Sequence, residues 1–152
     1  VELSKLGERT ITIDCDVLEA DGGTRTASIT GAWVALVLAM CEMRLRGQLK
    51  KPVLRDQIAA VSVGIVDGEP LLDLCYVEDS KARVDLNLVA TNRGGVVEIQ
   101  GTSEGEAIPR SDLDAMVDLA LDGIARLFAV QTGAIESAGM DIGPLWRSEP
   151  GR

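Results

Sequence analysis

Two stretches of the sequence hold residues whose types and spacing could do chemistry. The first is "ADGGTRTASITGAW", residues 20–33, where Gly22, Gly23, Thr24 and Arg25 stand between a strand-like run and a long apolar run. A glycine turn leading into a helix points the first free N–H groups of that helix at whatever lies in the turn. Glycines let the backbone close around an anion, the helix dipole favours negative charge, and an arginine adds a two-pronged contact. Thr24 offers one more hydroxyl. This is the chemistry of an oxyanion or phosphate cradle; a plain turn with a Thr or Ser helix cap fits the same residues. It is not a Walker A loop, because no Gly-Lys-Ser or Gly-Lys-Thr follows.

The second stretch is "DLCYVEDSKARVDLNLV", residues 73–89, with Asp73, Glu78, Asp79 and Asp85. Strand alternation puts Asp85 and Asn87 on one face and Leu86 and Leu88 on the other. An aspartate on an inner strand face is costly unless it is paired or metal-bound. Two carboxylates brought together suit a hard cation such as Mg²⁺, with waters completing its octahedron. A solvated outer sheet face is the alternative.

What the chain lacks narrows the chemistry. There is no histidine, so Ser-His, Cys-His and imidazole-base mechanisms are excluded for these residues. Cys15, Cys41 and Cys75 are odd in number and widely spaced, which argues against a disulfide framework or a zinc site and for three small core residues. The net charge of −9 argues against a general nucleic-acid binder.

The elements that must position these residues can be read from periodicity. The 152 residues, 46% hydrophobic and 3% aromatic, suit a single α+β domain over 1–152 with an aliphatic core. Residues 9–18, "RTITIDCDVL", alternate as a half-buried strand. The run from about Thr26 to Arg46 is apolar almost all round and reads as a buried helix, stopped at Gly47. Strands follow at about 58–66 and 70–77, joined by Asp67-Gly68, and at 82–91 and 95–102, turning at 92–95. Leu113, Met116, Val117, Ala120, Leu121, Ile124, Leu127 and Phe128 form a helical stripe over 111–132, with Ser111 as cap and Asp114 in the first turn. The order is β-α-β-β-β-β-α, with antiparallel hairpins packed by helices. Residues 144–152 read as an extended or disordered tail. The apolar run 32–41 is too short to span a bilayer and no signal peptide is visible, so the expectation is a soluble, cytoplasmic protein with no membrane partner.

The wording "RTITIDCDVLEADGGTRTASITGAWVAL", "LLDLCYVEDSKARVDLNLV" and "VEIQGTSEG" resembles RNase PH, the phosphate-dependent 3′ exoribonuclease that trims transfer RNA precursors. The resemblance runs from about Leu6 to Trp146. It implies that Gly23, Thr24 and Arg25 bind the attacking inorganic phosphate. It implies also that Asp79 and Asp85 are the metal-site and catalytic aspartates, with Mg²⁺ as cofactor. The implied reaction is phosphorolysis, releasing nucleoside diphosphates from an RNA 3′ end, in a homo-oligomeric ring: a hexamer built from dimers. RNase PH is longer at its N-terminus, so the chain is expected to be the larger, C-terminal portion of such an enzyme, doubtful as an independent or active fold. Two rivals stand beside this reading: a non-catalytic, RNA-binding ring subunit of exosome type, and a small-molecule phosphate-binding domain. "RLRGQLKK", residues 44–51, would touch RNA or complement a helix dipole. Trp33 is expected in the core and Trp146 is left open between stacking a base and packing.

Overall fold

A computed structural model describes residues 1–147. A short helix α1 (Leu3–Leu6) opens the chain, and an irregular segment leads to α2 (Thr24–Leu45). Then come β1 (Ile58–Val66), β2 (Glu69–Leu72), a one-turn helix α3 (Tyr76–Asp79), β3 (Val84–Thr91), β4 (Val96–Ser103) and the long helix α4 (Arg110–Ser137). The four strands form one antiparallel sheet in the order β2-β1-β3-β4. The expected α+β class with hairpins packed by two helices is what is found.

Two hairpins set the register. Asp67 and Gly68 both carry positive φ, 52° and 88°, the twist that a two-residue hairpin turn requires. In the pairing of β1 with β3, Ser62 faces Asn87 and Gly64 faces Asp85. Alternation then sorts the strands into two faces. Val61, Val63, Ile65, Leu86, Leu88 and Ala90 point to α4 and make a core with Met116, Ala120 and Ile124. Ala60, Ser62, Asp85 and Asn87 point the other way, where α2 crosses.

Helix α2 carries a second core. Trp33, Val37, Met40 and Cys41 pack with Val53, Leu54, Ile135 and Leu145. Its chain reversal is at Gly47, with φ 70°. The expectation of burial all round is corrected. Gly31, Ala35 and Ala39 are exposed and only one stripe is covered. Thr24–Leu45 is, among the described residues, a helix long and apolar enough to cross a bilayer by length and composition; here it lies along β1 and α4.

Four further expectations are corrected. Residues 9–18 form no strand: Ile13 and Val17 are 44% and 49% exposed, because an alternating segment becomes a strand only beside a partner, and none of the described strands pairs with it. Residues 76–79 are helical rather than the end of a strand. The Glu78 side chain accepts from the Cys75 N–H at 3.0 Å, closing a capping box that turns the chain. Helix α4 starts one residue before Ser111, with Pro109 at the cap position and no side-chain cap, while Asp114 pairs with Arg110 one turn away. The cysteines are not all core: Cys41 is buried, Cys75 half-buried and Cys15 exposed, all three free.

The expected tail is partly built into the fold. Gly143–Leu145 forms a 3₁₀ turn, Leu145 is fully buried, and Trp146 bridges Leu54 in parallel. The rest of the tail, 148–152, lies outside the described residues.

Candidate functional site: a glycine turn fastened to an aspartate pair

Helix α2 begins at an exposed, uncapped N-terminus. Gly22 and Gly23 take φ of 79° and 57°, and no side chain caps the first turn. The N–H groups that a helix leaves unpaired at its start are therefore open here. Gly22 is required by packing as well as by φ. A Cβ there would stand 2.3 Å from the Leu74 carbonyl oxygen, so any side chain would drive the turn off the loop after β2.

That loop leads directly to the acidic stretch. Asp21 accepts from the Tyr76 N–H at 3.0 Å, tying the glycine turn to the start of α3. Asp79 ends α3. Asp85 lies on β3, opposite Gly64, with its side chain on the α2 side of the sheet. The two stretches picked out from the sequence, more than fifty residues apart, are thus neighbours.

The electrostatics bear on the pair. Burial holds the Asp85 carboxyl above the usual aspartate range, and the negative charge of Asp79 adds to the shift. The two aspartates are close enough to feel one another. Among the described residues, no group of three or more His, Cys, Asp or Glu side chains could hold a metal ion.

Arg25 does not lie folded back over its own turn. Its guanidinium donates to the Glu98 carboxylate of β4 at 2.6 Å, reaching sideways over β3. Thr24 stays at the first position of the helix. Its carbonyl accepts from the Ser28 hydroxyl at 2.8 Å.

Two residues of this region, Ser62 and Glu98, were not singled out from the sequence, and Asp73 was named only as one of the carboxylates of its stretch. Ser62 is 3% exposed and its Oγ has no hydrogen-bond partner. That oxygen would be 3.6 Å from a Cβ on Gly23, and Asp73 Oδ1 would be 3.9 Å from it. Asp73 is held in the left-handed region at φ 58°. The signal for Ser62 was available: it is the one hydroxyl in "AAVSVGIV", on the face opposite Val61 and Val63. Asn87 and Gln100 continue its row across the sheet, and Asp85 and Thr102 form the next.

Residues 56–123 match the 3′ exoribonuclease family, domain 2. The matched segment is similar to an RNase PH-family domain over 68 of the 152 residues. It spans β1 to the middle of α4 and so contains Asp79 and Asp85, whereas the glycine turn lies before it. Among solved structures, the crystal structure of rice (Oryza sativa) Rrp46 superposes with a TM-score of 0.63 at 19% identity, over 79% of this chain and 51% of that one. The chain therefore spans about half the length of the rice protein it matches, and the likeness establishes the RNase PH-type fold.

Proposed function

We propose that this RNase PH-like domain works in a phosphorolytic 3′ exoribonuclease that trims transfer RNA precursors. The observation that carries the reading is the fastening of the open α2 N-terminus to the Asp79–Asp85 pair through Asp21–Tyr76 and Gly22–Leu74. An anion-binding turn beside two carboxylates is what phosphoryl transfer needs: one part holds the attacking phosphate, the other manages charge on the group transferred.

In this scheme the N–H groups after Gly23, with Thr24 and Arg25, hold inorganic phosphate. A phosphate oxygen bonds to the phosphorus of the last phosphodiester, the bond to the 3′ oxygen of the preceding nucleotide breaks, and a nucleoside diphosphate leaves. The departing oxygen also needs a proton, and Asp85 can supply it only while it is not serving as a carboxylate ligand to a metal. Mg²⁺ fits the donor set, since two like charges this close favour a cation that keeps most of its waters and takes further oxygens from substrate phosphates. When bound, it would neutralise charge at the transferring group.

A homo-oligomeric ring, a hexamer built from dimers, belongs to the same proposal. Val96, Val97 and Ile99 on the edge strand β4 are about half exposed, and an apolar edge of this kind favours association. A non-catalytic ring subunit of exosome type is the second reading. The Arg25–Glu98 pair favours it, because it occupies the arginine that phosphate needs. In the intact protein, Asp79→Asn and Asp85→Asn should each remove most turnover while leaving phosphate affinity in place. Near-normal turnover in both variants would refute a role for the pair.

A further inference from the structure

We propose that a pocket formed by Arg55, Arg93, Trp146 and Arg147 holds one nucleotide of an RNA strand, upstream of the 3′ end that reacts. The inference rests on RNA being the substrate. The pocket has a volume of about 210 Å³ and is completed by Asn92. Its residues come from three separate segments: the approach to β1, the turn between β3 and β4, and the end of the described chain.

The pocket is built rather than incidental. Trp146 bridges Leu54, and the Arg147 N–H donates to the Leu54 carbonyl at 3.0 Å. This sets Arg55 and Arg147 side by side on a fixed backbone. The ring of Trp146 packs tilted on Trp33, centroids 6.5 Å apart. Arg93 is held by Asp56, its Nε donating at 2.6 Å, and Arg147 stands 3.4 Å from Glu2. Arg55 has no ion-pair partner among the described residues. In a chain of net charge −9, Arg55 adds an unpaired positive charge to two ion-paired guanidinium groups beside one aromatic ring. Arginine offers phosphate oxygens a planar fork, and an indole face stacks on any base.

Position supports RNA over a free anion. Asp85, Asn87, Val89 and Thr91 alternate onto one face of β3. From Asp85 to Thr91 the strand advances about 20 Å at about 3.4 Å per residue. Beside Thr91 a second cavity of about 400 Å³, lined by Trp33, Leu36, Ile58 and Val97 among others, shares Arg55 with the pocket. Arg25 and Glu98 lie between this cavity and the aspartates. The aspartates and the arginines thus stand about 20 Å apart along β3, a separation that a strand of several nucleotides covers and a mononucleotide does not.

The test is binding of a ten-nucleotide oligoadenylate to the intact protein without phosphate or divalent metal, read by tryptophan fluorescence and repeated over a salt series. Arg55→Glu, on an exposed side chain, should weaken binding and lower the salt slope by about 0.7 per lost phosphate contact. Arg55→Lys should keep most of the slope, and Trp146→Phe should keep affinity but lose the quenching. Adenosine monophosphate should bind far more weakly than the oligonucleotide. Unchanged affinity and slope in Arg55→Glu, or equal affinity for the mononucleotide, would overturn the proposal. Failure of the wild type to shorten RNA would count against the phosphorolytic reading and leave this binding result standing, so the two failures are distinguishable.

Discussion

Arg25 and Glu98 meet over the polar face of the sheet, guanidinium to carboxylate at 2.6 Å, each with a little under half of its side chain exposed. A pair this open contributes little to stability, about 0–1 kcal/mol. Its consequence is for ligand binding, because a phosphate in the α2 cradle must draw Arg25 away from Glu98. Glu98→Gln should therefore lower the phosphate concentration needed for half-maximal turnover. Arg25→Lys should raise it, since lysine cannot make the two-pronged contact. Phosphate titrations of the two variants check both directions.

Asp85 should show a conflict between stability and function. Its carboxyl is raised in the folded state by burial and by Asp79, so the folded chain binds that proton more tightly than the unfolded chain. Stability is then lost as pH rises from the ordinary aspartate value of about 3.9 through the raised folded value, and the loss is complete above it. Asp85→Asn should raise the melting temperature at pH 7 and give a much smaller gain at pH 3, while removing turnover. Melting curves at the two pH values are the check; an equal shift at both would mean that charge is not the cause.

Packing makes a separate claim. Ile124 is 1% exposed in the core between α4 and the sheet, whereas Leu121 only borders it. Ile124→Ala should cost about 2–5 kcal/mol, and Leu121→Ala should cost less. Denaturant unfolding of both variants would show whether the order holds.

The distribution of thiols gives a further check on the fold. Burial raises the Cys41 thiol, with Asp141 adding to the effect, and Cys15 is exposed. A thiol reagent at neutral pH should label Cys15 first and leave Cys41 unlabelled until the chain unfolds. Mass mapping of the modified peptides distinguishes them.

The fold was legible in the sequence wherever local chemistry decides the outcome. Asp67-Gly68 fixes a hairpin by backbone conformation alone, and the stripe from Met116 to Ile124 needs only helical spacing. Residues 9–18 show the limit. Their alternation is genuine, but a strand needs a partner, and no residue in the segment names one. Tyr76–Asp79 went unread because a capping box through Cys75 and Glu78 outweighed the strand preference of Tyr76 and Val77. At the site, Gly23, Arg25, Asp79 and Asp85 were visible as types. What joins them was not visible, because the Asp21–Tyr76 bond and the Gly22–Leu74 contact are made across more than fifty residues. Glu98 as the partner of Arg25 is equally a product of register.

The most direct test of the phosphorolytic reading is the product formed when the intact protein, with Mg²⁺, is given a 3′-extended transfer RNA precursor over a range of inorganic phosphate concentrations. The RNA should shorten from its 3′ end at a rate that rises with phosphate and saturates, releasing nucleoside diphosphates one at a time. Release of nucleoside monophosphates, or shortening at the same rate without phosphate, would contradict the assignment of the Gly23–Arg25 turn as the seat of the nucleophile.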